Sequence, residues 1–203
     1  MLIHLVVLLD FISEAEYWRN ADIQLLNSIN HNRIHGLDNL FIGITDTVSF
    51  VSILLILLLF LWSYRKKDNA IKRNAISISV GWFSAALVAN ILKYWIDRPR
   101  PFATYAFIEK LSTGGSPSFP SGHTTDAFAI ATAISICYPR WYVLLMAYTW
   151  AFSVAYSRIC LGVHYPSDVL GGIFIGIVTV IAVFFMIHKY TKNKIQTHAR
   201  LSE

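Results

Sequence analysis

Residues 48–62 read VSFVSILLILLLFLW, without one charged side chain. Extended to Thr47–Tyr64, the run approaches the roughly 20 apolar residues that a helix needs to cross the hydrocarbon core of a bilayer. In lipid every backbone N–H and C=O must be satisfied within the segment, so a single run of this kind selects a helix. Working outward, four further apolar stretches follow at Ala75–Tyr94, His123–Tyr138, Trp141–Ser157 and Val169–His188. The middle two are short and carry Ser and Thr, and each alone resembles a buried helix of a soluble protein. With only Pro139 and Arg140 between them, they read as a helical hairpin. The expected fold is all-α: a polytopic membrane helix bundle of five to six transmembrane helices, with interfacial helices at the N-terminus.

Composition agrees with this class. Of the 203 residues 55% are apolar and only 14% charged, against about 45–50% and about 25% in soluble domains; mean hydropathy is +0.50. The length suits one domain, divided into an interfacial segment over 1–46, a bundle over 47–188 and a tail over 189–203. The net charge of +5 does not make a nucleic-acid protein, because the bases cluster between apolar spans and form no basic stripe. The two cysteines, Cys137 and Cys160, fall near opposite ends of the spans, which argues against a disulfide. The N-terminal MLIHLVVLLDFI lacks the basic start and small-residue cleavage site of a signal peptide. It is also too short to span and is expected to pack or lie at the interface. Residues 21–46 place apolar positions at helical spacing among polar ones, as surface helices do.

Lys and Arg placement orients the chain. Arg65, Lys66, Lys67, Lys72 and Arg73 link spans one and two. Arg140 links spans three and four, and Lys189, Lys192, Lys194 and Arg200 follow span five. These segments share one side, the cytoplasm. The 95–122 loop and the 158–168 link fall on the other.

That outer side collects the chemistry. Lys93 closes span two and Arg100 follows it. His123 opens span three after Ser121 and Gly122. Arg158 closes span four, and His164 and Asp168 precede span five. Singly, Lys93 reads equally as a snorkelling end, Arg158 as an interfacial anchor and His123 as a turn residue. Together they suit a phosphate dianion. Arg supplies planar forks and Lys a point charge, while a Ser-Gly turn at a helix head offers N–H donors and the positive end of the dipole. Two histidines divide the labour, one attacking phosphorus and the other, His123, protonating the departing oxygen. Asp168, four residues after His164, is placed to hold its ring. No metal-ligand spacing occurs near these residues.

Three stretches resemble the signature motifs of the type-2 phosphatidic acid phosphatase superfamily: KYWIDRPRP (93–101), PSGH (120–123) and SRICLGVHYPSD (157–168). The resemblance implies a metal-independent lipid phosphatase with no cofactor. In it His164 is the nucleophile of a phosphohistidine intermediate, Asp168 its orienting group and His123 the acid. Lys93, Arg100, Ser121, Gly122 and Arg158 bind the phosphoryl oxygens. The small size resembles the bacterial branch, which implies an envelope lipid as substrate, a polyprenyl diphosphate first. It also implies an inner-membrane location with the site facing the periplasm. Related vanadium haloperoxidases use a similar pocket, but the spans favour a lipid. A lipid-to-lipid phosphotransferase and a non-catalytic transporter or scaffold stay open, as does the oligomeric state. Asp97, Arg98 and Asp126 lie nearby without an assigned role, and STGGSPS (112–118) reads as a lid.

Overall fold

The computed structural model describes the backbone of residues 2–201 and the side chains of residue 14 and residues 16–191. It is built from helices: α1 (Leu2–His31), a 3₁₀ turn (His35–Leu37), α2 (Asp38–Lys66), α3 (Asn69–Ile96), α4 (Pro101–Thr104), α5 (Gly122–Cys137), α6 (Trp141–Cys160) and α7 (Pro166–Leu201). No strand occurs among the described residues.

The boundaries follow from local chemistry. Lys67 closes α2 in a left-handed conformation at φ 51°. Asp68 then caps α3 by accepting from the N–H groups of Ala70 and Ile71, at 2.7 and 3.3 Å. Asp97 closes α3 in the same way at φ 48°, and Pro99 and Pro101 bar its continuation. Pro101 and Pro166 sit in the first helical turn, where a missing N–H is harmless.

Four segments are long and apolar enough to cross a membrane: His35–Lys66, Asn69–Thr104, Trp141–Cys160 and Pro166–Thr191. Residues 38–46, expected at the surface, instead continue without a break into α2, where Thr45 and Val48 are buried. The expected 46/47 division thus falls inside a helix. Placement of residues 1–12 against the membrane lies outside the described side chains, as does most of the expected tail.

α5 is the central helix, packed against α3, α6 and α7. Its 16 residues rise about 24 Å, less than the roughly 30 Å hydrocarbon core. Surrounding helices shield it, so it need not match the lipid itself. Small side chains make the packing close: Ala127, Ala129, Ala131 and Ala133 are all fully buried. On α7, a Cβ at Gly172 would come within 2.8 Å of the Ser121 carbonyl oxygen. At Gly176 it would come within 2.7 Å of that of Thr125. Large apolar side chains face outward, among them Phe83, Leu87, Phe174 and Phe185, the inverse of a soluble protein and the natural face toward lipid. The second half of α1 buries Ile23, Leu26 and Asn30 against the bundle. The cysteines are free and sit at the ends of α5 and α6, helices that run in opposite directions from the 138–140 turn.

Candidate active site

Successive helices alternate in direction, so the C-terminal ends of α3 and α6 and the N-terminal ends of α5 and α7 gather at one end of the bundle. A cavity of about 260 Å³ opens there. Its walls are Lys93 (last turn of α3), Arg100, the Thr113–Ser116 loop, Gly122 and His123 (first turn of α5), Arg158 (last turn of α6) and His164. Larger clefts exist, such as one of about 750 Å³ lined by Tyr64, Arg65, Lys67 and Lys72, but those side chains are solvent-exposed and include no histidine.

The cations are deeply set. Lys93, Arg100 and Arg158 are 6%, 9% and 1% exposed. The Lys93 ammonium donates to the carbonyls of Pro117 and Pro120, both at 2.9 Å. Arg100 donates through Nε to the Ser116 carbonyl (2.7 Å) and through Nη1 to that of Val163 (3.0 Å). Arg158 donates through Nη1 to Thr45 Oγ1 at 2.8 Å, while its Nε has no partner among the described residues. None of the three forms an ion pair with a described carboxylate. Burying a charge without a counter-ion costs on the order of several kcal/mol, so the cavity is built to receive an anion.

His164 lies in the α6–α7 link and is 1% exposed. Its Nε2 is 3.4 Å from Arg100 Nη1, and its Nδ1 is 3.4 Å from Asp168 Oδ2. That second separation is an ion-pair distance without a well-formed hydrogen bond, because Oδ2 already accepts from Ser118 Oγ and from the Tyr165 N–H. Burial, reinforced by Arg158 and Arg100 and opposed by Asp168, holds the imidazole pKa down to about 3. The ring is therefore neutral across the physiological range.

Asp168 stands behind His164, fully buried, and is not in the cavity wall. Ser121 is also absent from that wall. It is fully buried, its N–H donates to the Asp168 carbonyl at 3.0 Å, and its hydroxyl accepts from Thr124 Oγ1 at 2.9 Å. It ties α5 to α7, and Gly122 beside it reaches the cavity. The 112–118 segment, expected as a lid, is pinned by Arg100 through both the carbonyl and the hydroxyl of Ser116. A Cβ at Gly114 would come within 2.5 Å of that guanidinium, so a larger residue there would have to displace Arg100. Asp97 is exposed, and Asp126 lies inside α5 away from its cap.

Several supporting residues were not identified from the motifs. Thr45 of α2 holds Arg158, and Ser118 holds Asp168. Asn30 of α1 donates to the carbonyls of Cys160 (2.8 Å) and Glu109 (3.1 Å) and accepts from the Glu109 N–H (2.9 Å). It thereby pins the link between Arg158 and His164 to the long loop. Gly162 of that link has φ 69°, and the Glu109 carbonyl occupies the space a side chain would take. The only sequence signal for Thr45 was a polar residue at the margin of a span.

Comparison with known proteins places this arrangement. Residues 74–192, more than half of the chain, match the PAP2 superfamily. The chain is 29% identical to a lipid A 1-phosphatase of Rhizobium etli, over 70% of this chain and 67% of that one. It is 30% identical to a putative undecaprenyl-diphosphatase of Escherichia coli K12, over 78% and 79% of the two chains. The crystal structure of Aquifex aeolicus LpxE superposes with a TM-score of 0.72 at 28% identity, covering 81% of this chain and 94% of that one. With that match and the multi-pass helical architecture that carries it, the chain belongs to the PAP2 superfamily.

Proposed function

We propose that this protein is an integral membrane lipid phosphatase that hydrolyses a lipid phosphate or diphosphate through a phosphohistidine. The observation that carries this reading is the cavity itself, where three buried cations without carboxylate partners surround a neutral imidazole. His164 Nε2 attacks phosphorus with its lone pair as the bond to the lipid oxygen breaks, and His123 gives that oxygen its proton. Water then attacks the phosphohistidine, His123 takes the water's proton, and the P–N bond breaks to release inorganic phosphate. Lys93, Arg100, Arg158 and the first turn of α5 at Gly122 hold the phosphoryl oxygens as charge shifts among them. Asp168 orients His164 and offsets the charge its ring gains, and Ser121 braces this pair from behind.

The substrate we favour is a polyprenyl diphosphate such as undecaprenyl diphosphate. Lipid A, phosphatidylglycerol phosphate and phosphatidic acid are the alternatives within the class; the names of the relatives support the polyprenyl diphosphate, lipid A and phosphatidylglycerol phosphate. Arg65, Lys66, Lys67, Lys72, Arg73 and Arg140 lie at the end of the bundle opposite the cavity. The positive-inside bias favours these residues in the cytoplasm, which supports a cavity facing the extracytoplasmic leaflet, on the periplasmic side of an inner membrane.

Phosphate release by the purified protein in detergent tests this reading across those four lipids. At least one is expected to be hydrolysed, with inhibition by vanadate and full activity in EDTA. A folded protein that releases phosphate from none is a scaffold or transporter, and loss of activity on chelation contradicts the metal-free mechanism. Arg158→Lys keeps the charge but loses the planar fork and its bond to Thr45. It is expected to lower kcat/KM by about 10²-fold, the scale of one lost transition-state donor; near-normal kinetics would leave Arg158 as a structural tie to Thr45.

A further inference from the structure

Arg98, unassigned by its position between Lys93 and Arg100, is heavily engaged behind the cavity. Its Nη1 donates to Asp168 Oδ1 and to Ser167 Oγ, both at 2.7 Å. Its Nη2 donates to Asp22 Oδ2 at 2.8 Å, and its guanidinium lies 3.9 Å from the centre of the Tyr165 ring. Asp22, from α1, is equally committed. Besides Arg98, it accepts from the Ser167 hydroxyl and, at 2.9 Å, from the Ser167 N–H. That N–H is one of the unpaired donors of the first turn of α7, so Asp22 acts as a cap supplied from another helix, with its charge at the positive end of the α7 dipole. Asp168 is the next residue along the same turn.

Asp168 is thus gripped on both oxygens. Oδ2 faces His164 and is held by Ser118 and Tyr165, while Oδ1 is held by Arg98. A carboxylate turns freely about its last torsion, whose preference is broad. Arg98 fixes that torsion from the far side, and Asp22 fixes Arg98.

We propose that Asp22 and Arg98 are positioning residues: α1 supplies a carboxylate that sets the Arg98 fork, and through that fork the Asp168 carboxylate that orients His164. This rests on the phosphohistidine reading above. It brings into the working unit a helix that lies outside the family match at residues 74–192.

The test is single-turnover phosphoenzyme formation by the full-length protein in detergent, using an activated aryl phosphate and a lipid phosphate. The variants are Asp22→Asn, Arg98→Lys, Arg98→Gln and the double variant Asp22→Asn/Arg98→Gln. Asn offers one acceptor oxygen where Asp22 serves three donors, and Lys cannot fork between two carboxylates. Each single variant is expected to slow phosphoenzyme formation by roughly 10- to 100-fold, the scale of a misplaced reacting group. The slowing is expected to be equal for both substrates, with full burst amplitude and an unchanged inhibition constant for inorganic phosphate. The double variant should be no slower than Arg98→Gln, because the two residues act in series. A merely structural contact would lower the amplitude, the fraction of folded protein, and leave the rate constant alone. An unchanged rate constant in Asp22→Asn and Arg98→Lys, or additive losses in the double variant, overturns the proposal. His164→Ala run alongside separates the two claims. Turnover surviving there overturns the nucleophile assignment, whereas full-rate Asp22 and Arg98 variants beside an inactive His164→Ala overturn only the relay.

Discussion

His164→Ala is expected to reduce phosphate release by on the order of 10⁴- to 10⁶-fold, the range seen when a member of a covalent catalytic unit is removed, and to leave no trappable phosphoenzyme. Three features of the ring concentrate the effect there. Its Nε2 faces the cavity beside Arg100 while Nδ1 faces Asp168, which favours the tautomer with the proton on Nδ1 and the lone pair toward substrate. Its pKa of about 3 keeps that lone pair free. The sign follows from burial: protonation puts charge in a dry site, so the neutral form persists as pH falls through the ordinary imidazole range. Protonation of His164 is therefore not expected to produce an acid limb in kcat/KM near pH 6–7, since that profile reports the free enzyme. The ring shares the cavity wall with three cations, so alanine there removes the imidazole while leaving the anion seat in place. Acid-quenched labelling with a ³²P-phosphorylated lipid reads the intermediate directly, and label retained on the Ala variant would move the nucleophile elsewhere.

His123→Ala is expected to slow phosphoenzyme formation by roughly 10²- to 10⁴-fold for a lipid substrate, the usual contribution of a positioned acid. The loss should shrink toward unity for an aryl phosphate with a good leaving group. A lipid alkoxide departs poorly without a proton, whereas an activated phenolate needs none. His123 stands in the first turn of α5, at the positive end of that helix's dipole, and lines the same cavity as His164. Measuring the loss against leaving-group pKa gives a slope. A loss of equal size for every leaving group would make His123 a phosphate-binding residue and not an acid.

These two histidines were legible in the sequence because their motifs are local. PSGH places a proline stop, a helix N-cap position and a titratable ring within four consecutive residues. The span pattern was legible for a related reason, since lipid imposes its demand on every residue of a segment at once. Residues 38–46 were misread because polar side chains at the head of a helix look the same from sequence whether they face lipid headgroups or the core. Thr45 faces inward to Arg158, and only packing distinguishes the two cases. Ser121 was read as an anion ligand from its place in a motif, yet its N–H and hydroxyl are directed at Asp168 and Thr124.

Sequence alone determined a multi-pass helical protein and the set of groups that meet at one membrane face, because hydropathy and helix stops depend on neighbours in the chain. Tertiary structure decided which cations keep a free N–H, which oxygen of Asp168 turns toward His164, and that Asp22, 146 positions away from it in the sequence, helps to hold it. Those outcomes depend on how helix ends dock, and docking is set by close approaches such as α5 against Gly172 and Gly176, where backbone meets backbone and no side-chain pattern announces the partner.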